Sequence, residues 1–98
     1  MPAYRLTSAA SDDVDQIYFD GVQLFGAAQA DRYHDGLEAA FGFLAETPRA
    51  ARLREETRPP VRAWRYGAHV IIYVVGNADE IMIVRVRHGR EDWLTDPI

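Results

Sequence analysis

Few side chains in this 98-residue chain could do chemistry, and most of those that could are arginines and histidines. The densest group is Arg85-Val86-Arg87-His88-Gly89-Arg90-Glu91-Asp92. An imidazole can give or take a proton near neutral pH. A guanidinium is a planar fork that grips carboxylates, phosphates and aromatic faces. Arg62, Glu55 and Glu56 precede the group and could supply a further clamp and a further base. Acid/base candidates count only once geometry brings them together. The expectation is therefore that His88 caps a turn at a strand end, that Arg85 and Arg87 are solvated or pair with a partner, and that Asp92 pairs with a nearby arginine. His34 lies among Asp31, Asp35 and Glu38 and reads as a surface residue, while His69 opens a strand. The three histidines lack close metal-ligand spacing, so no metal is expected. Neither a phosphate-cradling glycine loop nor a Ser/His/Asp order is present, and no cofactor is expected.

All eleven basic residues are Arg and none is Lys, a bias whose main expected cause is a GC-rich genome. The formal net charge is −4. A protein that lives by neutralising phosphates is usually basic, so direct nucleic-acid binding is not expected. Acids dominate the first half and arginines the second. The absence of cysteine excludes disulfides and thiolate metal sites and fits a reducing cytoplasm. No N-terminal apolar h-region stands out, and no apolar run approaches the roughly 20 residues that span a bilayer. The length fits one domain over residues 1–98.

The elements that would position these groups read as strand, helix, helix, then three strands. Tyr4-Arg5-Leu6 is a short strand. Thr7 and Ser8 are both good N-caps for a helix in which Val14, Ile17, Tyr18, Val22 and Phe25 recur at helical spacing. Gly26 is placed to end it. Ala30, Tyr33, Leu37, Ala40, Phe41 and Leu44 form the stripe of a second helix that stops at Thr47-Pro48, and the very short connection implies an antiparallel hairpin. Residues 49–60 read as a loop. Val61–Tyr66, His69–Val75 and Glu80–Arg87 read as strands separated by turns at Gly67-Ala68 and Gly76–Asp79.

Side chains alternate across a strand. In the strand from His69, Val70, Ile72 and Val74 point one way and His69, Ile71, Tyr73 and Val75 the other. In the last strand Met82, Val84 and Val86 share one face, and Ile81 and Ile83 lead into Arg85 and Arg87 on the other. Both faces are apolar, and two helices can cover only one. The expectation is that His69, Ile71, Tyr73, Ile81 and Ile83 lie on the uncovered face and mark a protein-partner site. Self-association and cover by the C-terminal tail (Trp93, Leu94, Ile98) remain open.

Several segments, in order, resemble the ParE toxins of the RelE/ParE superfamily. Phe25-Gly26 with Gln29-Ala30 and Tyr33 is similar to their hairpin turn. Leu44-Ala45 with Pro48, Arg58 with Arg62, and His69–Tyr73 resemble successive later pieces. Ile83-Val84-Arg85-Val86 leading to His88-Gly89-Arg90 and Asp92 resembles them most. The resemblance implies an α+β fold in which an antiparallel sheet carries a two-helix hairpin on one face, in the order β-α-α-β-β-β. It implies a toxin neutralised by a ParD-like antitoxin, in a hetero-oligomer with it, and directed at DNA gyrase. His69, Ile71, Tyr73, Ile81, Ile83, Arg85 and Arg87 would then meet the antitoxin, and His88, Arg90, Asp92 and Trp93 the target. Arg87 stands where ParE chains often carry Leu, and Trp93 is an aromatic the pattern does not require. RelE-type members cut messenger RNA on the ribosome. The alternative that the same resemblance implies is such a ribonuclease, with His88 as acid or base and Arg62, Arg85 and Arg90 holding phosphate.

Overall fold

A computed structural model of the chain describes residues 4–95 and 97. The elements run β1 (Tyr4–Leu6), α1 (Ser8–Phe25), α2 (Ala27–Glu46), β2 (Leu53–Arg54), β3 (Val61–Tyr66), β4 (His69–Val75) and β5 (Ile81–His88). Thr7 is the cap that α1 uses, its hydroxyl accepting from the Ala10 N–H at 3.0 Å. Gly26, at φ +89°, ends α1 and starts α2 in a single residue. Few side-chain-bearing residues adopt that backbone, so the hairpin's near-absence of loop depends on glycine there.

The two helices lie on one five-stranded sheet of order β1-β5-β4-β3-β2. The sheet is mixed rather than antiparallel, because β1 runs parallel to β5, with Tyr4 opposite Ile81 and Leu6 opposite Ile83. The stretch read as a loop contributes a two-residue strand, Leu53 pairing with Arg62 and Arg54 with Val61. Thr57 holds this segment down. It is buried, accepts from the Val61 N–H, and its hydroxyl lies within bonding distance of the Arg54 and Pro59 carbonyls.

Ile71, Tyr73, Ile81, Ile83 and Val86 face the helices and pack with Val14, Leu37, Phe41 and Leu44 in one core. The expectation that the first four lie on an uncovered face is therefore wrong. The parity along β4 is right, but the hairpin sits on the opposite side from the one expected. That side has the larger apolar load, since Tyr4, Leu6, Trp64 and Tyr66 also pack into it. Tyr73 is fully buried and satisfies its hydroxyl by donating to the Pro48 carbonyl at 2.8 Å.

Strict alternation fails in β5 because of a bulge. Ile72 pairs with Arg85 and Tyr73 with Ile83, so Val84 is the extra residue. The bulge restores Val86 to the helix side alongside Ile83. The other face buries Val61, Val70 and Ile72, with Ala63, Val74, Val84 and Trp93 packed around them. Trp93 brings the tail across this face, and Arg54 stacks on its indole at 5.3 Å. Cover by the tail was an alternative for the face of Ile71, Tyr73, Ile81 and Ile83; Trp93 lies on the opposite face instead, Leu94 is exposed, and Ile98 lies outside the described residues.

Candidate partner-binding surface

β1 flanks β5 only as far as Ile83, and beyond that point side chains take over the outer edge of β5. The Thr7 hydroxyl donates to the Val84 carbonyl at 2.7 Å. Asp13, reaching from α1, accepts from the Val86 N–H at 3.0 Å and holds Arg85 through two bonds of 2.6 and 2.9 Å. Glu91 accepts from the His88 N–H and from Arg87. These contacts hold the Glu91 carboxyl below the usual carboxylate range, the His88 N–H being the larger cause and Arg87 the next. Arg85 and Arg87, expected to meet an antitoxin, are thus engaged within the chain.

The other expected site residues divide. His88 is the turn residue it was expected to be, its Nδ1 accepting from the Arg90 N–H at 3.1 Å. Arg90 and Asp92 are exposed, and Asp92 accepts from the Thr95 N–H rather than pairing with an arginine among the described residues. Trp93 is half-buried under Arg54. Arg62 lies four residues along β3 from Tyr66, the residue that pairs with His69 and hence with His88. At roughly 3.3 Å per residue that separation is about 13 Å. Arg62 instead donates to the Ala51 carbonyl. His88 and Arg90 are adjacent, but Arg62 is remote and Arg85 is held by Asp13, so the four do not converge on one phosphate.

What the fold does assemble at the His88 end is an aromatic cluster. The His69 and His88 rings meet edge to face with centroids 5.4 Å apart. The Tyr33 hydroxyl lies 2.7 Å from His69 Nδ1, accepts from the Ala68 N–H, and approaches the Tyr66 carbonyl at 3.2 Å. Tyr33 thereby fastens α2 to the β3–β4 turn. Burial pulls the His69 imidazole below its ordinary value, the nearby His88 adds to this, and Glu91 opposes it. His69 is then neutral at neutral pH, whereas the unfolded chain takes up a proton near pH 6.5. Its contribution to stability is full above that pH and is lost as pH falls through it. The melting temperature should drop between about pH 7.5 and 5.5. His69→Gln should flatten that slope in thermal melts, and an unchanged slope would show that other groups set it.

The helices carry most of the exposed large apolar side chains among the described residues, Leu53 and Leu94 being the others. Leu24, Phe25 and Phe19 of α1 are 72%, 62% and 59% exposed, and Phe43 of α2 is also exposed. Behind Leu24 and Phe25 a cavity of about 450 Å³ opens between the helices and the β3–β4 turn, with His69 and His88 among its walls. The hairpin is acidic. Residues 8–46 hold eight carboxylates (Asp12, Asp13, Asp15, Asp20, Asp31, Asp35, Glu38 and Glu46) and one guanidinium (Arg32), a formal −7 against −4 for the whole chain. Leu24 and Phe19 were missed by the helical-stripe reading, which also assigned Phe25 to the buried face. Spacing alone does not separate them, since consecutive helix residues point about 100° apart and can share one core, as Leu44 and Ala45 do.

The family model described as "ParE toxin of type II toxin-antitoxin system, parDE" matches residues 4–93. The chain is 34% identical over 89 residues to Toxin ParE1 of Mycobacterium tuberculosis, covering 91% of each. It is 36% identical over 88 residues to Toxin ParE1 of Caulobacter vibrioides, covering 90% of each. A solved structure titled "Chromosomal ParDE TA system from P. aeruginosa" is similar in fold, with a TM-score of 0.74, 23% identity, and coverage of 90% of this chain and 96% of that one.

Proposed function

Because the chain belongs to the ParE toxin family of type II toxin-antitoxin systems, we propose that it arrests growth by gripping DNA gyrase and is silenced by direct binding of a ParD-like antitoxin. The family match over residues 4–93 is the observation that carries this reading. In it the protein works in the cytoplasm, uses no cofactor, acts on its target by contact rather than by bond cleavage, and forms a hetero-oligomer with its antitoxin. No helix among the described residues is long and apolar enough to cross a membrane, which is consistent with that location. A type II antitoxin acts by occupying its toxin, and the apolar surface buried in such a contact would stabilise the complex.

The ribonuclease alternative draws no support from the geometry. Cleavage of a phosphodiester needs an acid, a base and cationic groups around one phosphate. Here Arg62 is bonded to the Ala51 carbonyl and Arg85 is held bidentately by Asp13.

Two measurements test the reading together. Expression of the chain alone should arrest growth, and co-expression of the cognate antitoxin should relieve the arrest. The purified protein should inhibit gyrase supercoiling or trap gyrase on DNA, and should leave ribosome-bound message intact. Codon-specific message cleavage with normal supercoiling would move the chain to the ribonuclease class.

A further inference from the structure

We propose that the tip of the acidic helical hairpin is the surface that seizes the target, and that it takes a basic protein segment presenting one bulky apolar side chain. The inference rests on the reading that the target is a protein. Three observations converge on the tip.

Leu24 and Phe25 stand in the last turn of α1, mostly in water, with Phe19 exposed further back on the same helix. Large apolar side chains clustered at such exposure mark a contact surface. Asp20 lines the same cavity as Leu24 and Phe25, Asp15 lies beside Phe19, both are exposed, and Arg32 is the only arginine or lysine on the hairpin. A field of that sign draws in a cationic segment and repels an anionic one. The cavity of about 450 Å³ opens directly behind Leu24 and Phe25, with Tyr18 in its wall and His69 and His88 at its sheet side. That is room for a large side chain, and an apolar anchor in a pocket with a charged rim is how tight interfaces concentrate their energy.

The charge also selects among occupants. A second copy of this chain would bring another −7 to the same place. A protein that handles DNA carries cationic surface to neutralise phosphates, and this is the complement the hairpin asks for.

The test uses Leu24→Arg and Phe25→Arg in the full chain, with Leu24→Ala and Phe25→Ala as milder companions. Both positions are exposed enough that far-UV circular dichroism and melting should match the wild type. The arginine variants are expected to relieve growth arrest while still co-purifying with the cognate antitoxin. A labelled synthetic peptide with arginines and lysines flanking a single Phe should bind the wild type in fluorescence anisotropy and bind these variants about tenfold or more weakly. Its counterpart with glutamates in the flanks should not bind. Full growth arrest by the variants, loss of the antitoxin complex, equal binding of the glutamate peptide, or a wild-type dimer in sedimentation that Leu24→Arg dissociates would each overturn the proposal. If the wild-type chain arrests no growth, the toxin reading falls and the peptide comparison alone decides what the tip is for.

Discussion

Ile83→Asp should give no folded protein. Ile83 is fully buried beneath the helices, pairs with Tyr73 across the sheet and with Leu6 of β1, and belongs to the same core as Phe41 and Leu44. A carboxylate placed there loses its hydration and gains no partner, at a cost of several kcal/mol. Domains of this size hold about 5–15 kcal/mol in total, and a chain this short lies at the low end. The variant should show reduced helical circular dichroism and no cooperative urea transition. Ile83→Val, which deletes one methylene in the same place, should fold and lose about 0.5–1.5 kcal/mol. If Ile83→Asp folds as the wild type and loses only antitoxin binding, this part of the sheet is an external face and the packing described above is wrong.

The second large effect belongs to Asp13. Its two oxygens serve two bonds from Arg85 and one from the Val86 N–H, and both side chains are mostly buried. Asp13→Ala removes the carboxylate from a guanidinium held mostly out of water and leaves a strand N–H without its acceptor. Removing one partner from such an arrangement costs about 2–4 kcal/mol. Asp13→Asn keeps an acceptor for the strand and loses the charge, so it should fall between alanine and the wild type. Arg49→Ala, which breaks the exposed pair with Asp79, should cost less than about 1 kcal/mol. Equal midpoints for Asp13→Ala and Arg49→Ala in urea would reduce Asp13 to an ordinary surface charge.

The helices and the three long strands were legible because periodicity and punctuation agree there. Thr7, Gly26 and Thr47-Pro48 bound α1 and α2 where the sequence predicts, and Gly67-Ala68 separates β3 from β4. β2 was not legible, since two residues carry no period and Leu53-Arg54 becomes a strand only because β3 lies beside it. The parallel partner of β1 is a tertiary fact that Tyr4-Arg5-Leu6 cannot announce. The bulge at Val84 breaks the alternation on which the face assignment depended, and no glycine marks it.

The proposed partner surface was the least legible part. Alternation divides a strand's side chains into two sets but does not say which set the helices will meet. Once the hairpin takes Ile71, Tyr73, Ile81 and Ile83, the surplus apolar surface is found on α1 itself. The acidic bias of the first half was visible in the sequence, but its concentration on one hairpin beside a cavity required the fold.

The pairing of β1 with β5 also bears on when the protein can exist in finished form. Residues 4–6 find their partner at residues 81–83, almost the full length of the chain away. Synthesis runs from the amino end, so the hairpin leaves the ribosome before the strands that shelter Leu37 and Phe41 have been made. Those side chains lack the sheet's cover until translation is nearly over, and closing so long a loop comes at the end of a slow route. On the function proposed above, an antitoxin already in the cell has the incomplete chain within reach before there is a finished toxin to disarm.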